Sequence, residues 1–221
     1  MEFRHECKYY INFSDYLCLK SRLMHVLKPD LAASETGVYE IRSLYFDNAD
    51  DKALREKLDG LNRREKFRLR YYNNDFNFIR LEKKSKVNGL CNKQQAVITK
   101  DQCDMLLNGD RQFLKESRTP LFLELYSKME YQQLRPRTIV EYTREAYVFK
   151  AGNVRVTIDS DVKSGLLSTD FFNQGLATAG KGERILEVKY DSFMPYIVND
   201  LIQMNNREKS GFSKYVACRL I

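Results

Sequence analysis

Polar and apolar residues alternate with a period of two in six stretches of the chain, and in these stretches the polar face is charged. The rows are Glu2, Arg4, Glu6 and Lys8; Arg64, Lys66, Arg68 and Arg70; Arg80, Glu82, Lys84 and Lys86; Tyr142 and Arg144; Arg155, Thr157 and Asp159; and Glu187, Lys189 and Asp191. A β-strand sends successive side chains to opposite faces, so each row marks one face of one strand. Between the rows the pattern predicts the rest. Residues 2–11 read as a strand, and Ser14 opens a helix whose Leu17, Leu23, Val26 and Leu27 recur at helical spacing until Pro29. Residues 41–46 are a strand, and Asp47 with Asn48 starts a short helix reaching Gly60. Residues 63–72 and 77–87 form a hairpin around Tyr72-Asn73-Asn74-Asp75, and Asn88-Gly89 makes a further turn before a strand over 93–98. Thr99 and Gln102 form a capping box for a helix ending near Gly109, and Pro120 marks the first turn of a helix over 119–134. Strands return over 136–159 with a turn at 150–153. Residues 163–182 read as a loop with at most a short helix, 184–190 as a strand, Asp191 as the cap of a helix to about Asn206, and Ser213-Lys214-Tyr215 as the end of a tail. No internal repeat or low-complexity linker appears, so residues 1–221 are read as one domain: an α+β fold, an antiparallel barrel closed with its charged faces inward and decorated by helices.

Composition sharpens this picture. At 43% hydrophobic content the chain can bury a sizeable core, and 37 basic residues against 30 acidic ones give a net charge of +7. That excess would ordinarily suggest nucleic acid or a membrane surface, but here it is concentrated in the rows. An inward-facing set of such rows makes a basic channel dotted with carboxylates, suited to a polyanion and its metal ion. Cys7, Cys18, Cys91, Cys103 and Cys218 are odd in number and lack CxxC or zinc-like spacing, which points to reduced thiols and a cytoplasmic setting without disulfide or structural zinc. No stretch approaches the roughly 18 apolar residues of a membrane span.

The chemistry lies in the rows. Arg68 and Arg70 share one face, and each guanidinium fork can grip two phosphate oxygens; Arg64 and Lys66 extend the row. Glu6 precedes Lys8 by two, as Glu82 does Lys84 and Glu187 does Lys189. Inside a barrel such a carboxylate can hold a divalent cation while its neighbouring ammonium meets a phosphate; equally, it can simply neutralise the bases around it. Glu187 is the preferred ligand, with Glu6, Glu82 and Asp159 as further candidates, and oxygen ligands without a Cys/His cluster point to Mg2+ or Mn2+. His5, on the odd and more apolar face with Cys7 and Tyr9, and His25, in a helix, read as structural. There is no Ser/His/Asp set, Walker A loop or GxGxxG. Tyr9, Tyr10, Tyr45, Tyr71, Tyr72, Tyr190 and Tyr215 either pack the barrel wall or stack bases of a single strand, whereas Tyr142 shares a face with Arg144.

Taken in order, the rows resemble the triphosphate tunnel metalloenzymes, a CYTH-like superfamily, and within it the VTC-type polyphosphate polymerase domain. The motifs are Arg4-His5-Glu6-Cys7-Lys8-Tyr9, Ser43-Leu44-Tyr45-Phe46-Asp47-Asn48, Arg68-Leu69-Arg70-Tyr71, Leu81-Glu82-Lys83-Lys84-Ser85-Lys86, Tyr142-Thr143-Arg144, Arg155-Val156-Thr157-Ile158-Asp159, Leu186-Glu187-Val188-Lys189-Tyr190 and Ser213-Lys214-Tyr215. The resemblance implies a tunnel of about eight strands and transfer of the γ-phosphate of ATP to a growing inorganic polyphosphate chain, with ADP released and Mn2+ or Mg2+ required. By position, Lys8, Arg68, Arg70, Lys84, Arg144, Arg155 and Lys214 would bind the reacting phosphates, and Glu187 the metal. Tyr142 would meet a terminal phosphate and Lys93 would match a further lysine, while Arg4, Arg64, Lys66, Lys86 and Lys189 line the substrate path. Hydrolytic tunnel enzymes open with Glu-x-Glu-x-Lys; this chain has Arg4 at the first Glu, which favours the polymerase over a triphosphatase or cyclase. A tunnel triphosphatase and a non-catalytic polyphosphate- or RNA-binding module are the alternatives. The expected partners are ATP and polyphosphate, not DNA, with a separate membrane protein as a possible recipient of product.

Overall fold

The computed structural model describes residues 3–30, 36–173, 175–178, 182–204 and 207–220. Its ten strands all belong to one antiparallel sheet. The eight that form its path are β1 (His5–Ile11), β3 (Val38–Asp47), β4 (Arg63–Tyr72), β5 (Asp75–Val87), β6 (Leu90–Ile98), β7 (Arg135–Phe149), β8 (Val154–Ser164) and β10 (Arg184–Tyr190), and two-residue pieces, β2 (Lys28–Pro29) and β9 (Ala177–Thr178), pair with β7 and β8. The order is β1-β10-β8-β7-β3-β4-β5-β6. Seven helices are interspersed among the described residues: α1 (Phe13–Val26), α2 (Lys52–Leu58), α3 (Lys100–Leu107), α4 (Gln112–Glu116), α5 (Pro120–Tyr131), α6 (Tyr196–Leu201) and α7 (Lys214–Arg219).

The apolar face of the sheet points outward onto helices, and this sends the charged face inward. Phe67, Leu69, Tyr71, Ile79 and Leu81 of β4 and β5 pack with Cys103 and Leu106 of α3 and with Leu121, Phe122, Leu125 and Met129 of α5. On the other flank, Leu19 and Leu23 of α1 and Val198 of α6 cover Val156, Ile158, Leu186 and Val188 of β8 and β10. Burying a Leu or Phe side chain is worth about 1.5–3 kcal/mol, so a one-residue slip of β4 would both expose Phe67 and Leu69 and drive Arg68 and Arg70 into hydrocarbon. A third cluster joins Tyr45, Ala53 and Leu54 to Tyr142, Tyr215 and Cys218, and seats α2 and α7 against β3 and β7.

Turn chemistry holds the register. Asn73 and Asn74 both have positive φ, 49° and 55°, and join β4 to β5 through the Tyr72–Asp75 pair, as a two-residue loop matched to strand twist requires. Asn88 and Gly89, at 48° and 84°, do the same between β5 and β6. At the β7–β8 turn Gly152 has φ of 68°, and a Cβ there would lie 2.5 Å from the Phe193 carbonyl oxygen, so both the conformation and the close approach demand glycine.

Several expectations are corrected. The sheet is not a barrel closed by ladders. Its edge strands β1 and β6 meet at one isolated bridge, where the Arg4 and Cys91 amides donate to each other's carbonyls at 2.9 and 3.0 Å. β1 spends its seven residues pairing with β10, and the rest of the seam is crossed by side chains, Lys84 of β5 reaching Glu6 of β1 at 2.6 Å. The cap of α1 is Asn12, not Ser14: the Asp15 amide donates to Asn12 Oδ1 at 2.8 Å and the Asn12 amide to Asp15 Oδ2 at 3.0 Å, a reciprocal pair that a lone serine cannot match. Asp47 lies well before α2 yet accepts from the Ala53 and Leu54 amides, so the helix starts at Lys52. Helix α5 stops at Tyr131, α4 forms where no helix was expected, and β8 and β9 extend into the segment read as loop. Asp191 is not the cap of the helix after it, which follows Pro195 and spans Tyr196–Leu201; it is held by Arg4 at 2.7 Å. Glu2 and residues 205–206 lie outside the described residues. The expected tail instead carries helix α7 from Lys214.

Candidate functional site

A cavity of about 460 Å3 runs along the inner face of the curled sheet, within the size range of small-molecule sites. All eight path strands supply or flank lining residues, as do α2 and the segment from Ser210 to Lys214. Fourteen Lys and Arg side chains border it against two carboxylates, Glu6 and Glu187, so a polyanion meets a strongly positive wall from every side.

Sixteen of the eighteen residues singled out in the sequence line this cavity: Arg4, Glu6, Lys8, Arg64, Lys66, Arg68, Arg70, Lys84, Lys86, Lys93, Tyr142, Arg144, Arg155, Glu187, Lys189 and Lys214. The other two, Glu82 and Asp159, are fully enclosed behind the wall. Glu82 accepts from Arg68 Nε and Nη2 at 2.8 and 2.6 Å and from Lys93 at 3.0 Å, and Asp159 accepts from Arg144 Nε and Nη2 at 2.6 and 2.8 Å and from Lys214. These two acids aim guanidinium groups toward the cavity.

At the surface of the cavity the two remaining carboxylates are interleaved with ammonium groups. Glu187 lies 2.5 Å from Lys189 and 3.3 Å from Lys8; Glu6 lies 2.6 Å from Lys84, 3.5 Å from Lys8 and 3.7 Å from Lys189. Burial alone would raise both acids, but for Glu187 the charges of Lys189, Lys8 and Arg144, and for Glu6 that of Lys84 above all, outweigh it and hold each below the ordinary glutamate range. Both are therefore ionised at neutral pH. Among the described residues no three His, Cys, Asp or Glu side chains converge into a metal cluster.

The phosphate-binding candidates differ in how free they are. Arg68 is clamped by Glu82 and by the Tyr45 hydroxyl at 2.8 Å. Arg70 donates to Ser43 Oγ at 2.9 Å and to the Tyr142 hydroxyl at 3.2 Å, while its nearest carboxylate oxygen, on Glu82, is 3.8 Å away. Tyr142 sits under the cations of Lys214, Arg144 and Arg70, with Lys214 Nζ 4.4 Å from its ring centre. Arg155 bonds the Tyr39 hydroxyl and Asp30, each at 2.6 Å.

Lys57, Tyr39 and the 210–213 segment were not legible as site residues. Lys57 enters from α2, where no period-two row marks it, and its neighbours there are Arg64, Lys8 and Lys86. Tyr45 and Tyr72 line the cavity as well as packing its wall. His5, on the more apolar face of β1, stacks on Tyr190 with ring centres 4.9 Å apart and borders the rim. Arg80 belongs to a charged row but lies outside the lining, over the Phe78 ring at 4.4 Å.

No helix among the described residues is long and apolar enough to cross a membrane. No curated protein matches the sequence. Among solved structures the chain is similar to HpAC1 from Hippeastrum, an adenylyl cyclase candidate with a dominant triphosphatase activity, at 15% identity and a TM-score of 0.55, covering 97% of this chain and 93% of that one. It is also similar to a candidate adenylate cyclase from Bacillus halodurans, at 14% identity and a TM-score of 0.52 over 85% and 80% of the two chains. The PH1012 protein of Pyrococcus horikoshii OT3 matches at 13% identity and a TM-score of 0.51 over 98% and 99%. These likenesses concern the fold. The family model of the VTC domain matches residues 3–221, and with its ordered rows assembled around one cavity the chain belongs to the VTC domain family.

Proposed function

We propose that the protein is a metal-dependent polyphosphate polymerase that moves the γ-phosphate of ATP onto an inorganic polyphosphate chain inside the basic cavity. The observation that carries this reading is the lining itself, fourteen Lys and Arg side chains around two ionised carboxylates, in a member of the VTC domain family. Phosphoryl transfer asks chiefly for alignment and for neutralisation of charge on the transferring group. Arg70, with no carboxylate in close contact, offers its fork to phosphate oxygens; Arg68 and Arg144 are aimed by Glu82 and Asp159; Lys8, Lys84 and Lys214 supply further positive charge from three other elements. The polyphosphate end is itself the nucleophile, and a terminal phosphate needs no protein base to be reactive. Tyr142, bonded to Arg70, is placed to donate to a terminal phosphate oxygen.

Two carboxylates fit a divalent ion that takes its remaining ligands from phosphate and water, as Mg2+ and Mn2+ do. Glu187 and Glu6 would hold it, since Glu82 and Asp159 are enclosed beneath the cations they bind, Arg68 with Lys93 and Arg144 with Lys214. Such an ion would supply charge neutralisation on the bridging oxygens. Arg4, at the position where hydrolytic tunnel enzymes carry their first Glu, is a base paired with Asp191, so that position supplies no third carboxylate.

The competing reading is hydrolysis of tripolyphosphate or a nucleoside triphosphate, which the triphosphatase activity of the Hippeastrum relative favours. Incubation with ATP and Mn2+, followed by separation of products by chain length, decides between them. Growth of polymer that stops in both Arg68→Ala and Glu187→Gln supports the proposal. Phosphate release without polymer supports the hydrolase, and binding of polyphosphate with ATP left intact supports a non-catalytic module.

A further inference from the structure

Three lysines that line the cavity, Lys57, Lys66 and Lys86, form no ion pair among the described residues. Lys66 of β4 has no carboxylate oxygen within 4.0 Å among the described residues, although Lys8, Lys84, Lys93, Lys189 and Lys214 all do. Its ammonium donates to Ser213 Oγ at 3.2 Å and lies 4.8 Å from the centre of the Tyr215 ring, two uncharged partners that supply no counter-ion. Cations face it from four elements: Lys8 from β1, Lys57 from α2, Arg64 from β4 itself and Lys84 from β5. The acids nearby are committed. Glu6 serves Lys84 and Lys8, and Asp47 accepts from the Tyr215 hydroxyl at 2.5 Å and from the amides at the start of α2. Burial, reinforced by Lys84, Lys8, Lys57 and Arg64, pushes Lys66 down to about 7. Lys8 is moved the other way: burial would lower it, but Glu187 and Glu6 hold it above the ordinary lysine value.

We propose that Lys66 is a proton-coupled phosphate binder, largely uncharged in the free protein near and above neutral pH and protonated when a polyanion enters beside β4. This rests on the reading of the cavity as a polyphosphate tunnel. An entering phosphate chain brings the negative charge that the site lacks, which reverses the repulsion from the four cations and makes the ammonium form favourable. The proton comes from solvent, with no bond made or broken in the chain. Binding is then linked to pH. Between the free and bound pKa values each pH unit of increase costs about tenfold in affinity, because one proton must be recruited along with the ligand. The residue would thus weaken the grip on polyphosphate in alkaline conditions and strengthen it in acid ones, with Lys8 and Lys84 contributing charge throughout.

The test is calorimetric titration of the whole protein with inorganic tripolyphosphate at about pH 8.5, in buffers of different ionisation enthalpy, for the wild type and Lys66→Arg. The ligand's own terminal phosphates contribute alike to both, so the difference reports Lys66. The wild type is expected to take up close to one proton more than Lys66→Arg, and its affinity to fall about tenfold more per pH unit above neutrality. A carbon NMR titration of the Lys66 ε-methylene in the wild-type protein, needing no substitution, is expected to show a midpoint near neutrality that disappears when tripolyphosphate is bound. Equal proton uptake by the two proteins, or a Lys66 signal that titrates only in the ordinary lysine range, would overturn the inference while leaving the tunnel intact. Failure of either protein to bind tripolyphosphate would overturn the tunnel reading itself.

Discussion

Arg70→Ala is expected to lower turnover by about 10³-fold or more, roughly 4 kcal/mol of lost transition-state stabilisation, while leaving the protein folded. The guanidinium is buried, and among the described residues its hydrogen bonds go to the Ser43 and Tyr142 hydroxyls, which can turn to water once it is gone. Glu82 keeps Arg68 and Lys93, so no acid is stranded. Arg70→Lys restores the charge but not the planar fork and should recover only a small part of the rate. Single-turnover assays paired with urea unfolding separate the two claims. A rate within tenfold of wild type in Arg70→Ala would remove Arg70 from the reacting phosphates, and the assignment of the cavity with it.

The opposite balance is expected at Asp159. This carboxylate is fully enclosed and serves two buried cations, Arg144 in a two-pronged contact and Lys214 at the start of α7. Asp159→Asn leaves both without a full counter-charge, and breaking a buried pair in this way costs about 3–5 kcal/mol. The urea midpoint should fall with an unchanged slope, and excess tripolyphosphate should restore part of the loss by binding the folded state. A midpoint equal to that of the wild type would show that the Arg144–Asp159–Lys214 set contributes nothing to stability. The pH dependence follows from the sign of the shift. Burial would raise the pKa of Asp159, but Arg144 and Lys214 hold it below the ordinary aspartate value. The stabilisation is therefore complete above the unfolded aspartate pKa, about 3.9, and is lost as pH falls through the lower folded value.

The strands and their inward faces were legible because a period of two survives in the residues themselves. Arg64, Lys66, Arg68 and Arg70 alternate with Glu65, Phe67 and Leu69, and the structure sends the first set to the cavity and Phe67 and Leu69 to the helices. What periodicity could not show is depth. Glu82 and Glu187 occupy equivalent places in their rows, yet one lies behind the wall and the other faces the cavity, since that depends on neighbours from distant strands. Lys57 escaped because helical residues carry no alternation, and the boundary errors at Ser14 and Asp191 arose where a nearby residue, Asn12 or Pro195, settled the helix start instead. The closed barrel was expected from the charged faces alone, which fix curvature toward a common interior but not whether the two edge strands overlap by one residue or by seven.

That single point of overlap gives the protein a line of weakness. Separating any two path neighbours elsewhere means unzipping a ladder of at least five residue pairs, whereas between β1 and β6 it means losing the two Arg4–Cys91 hydrogen bonds and the Glu6–Lys84 ion pair. An opening of the sheet short of global unfolding is expected to begin along this join, exposing the charged interior to water before either of the two oily flanks is disturbed.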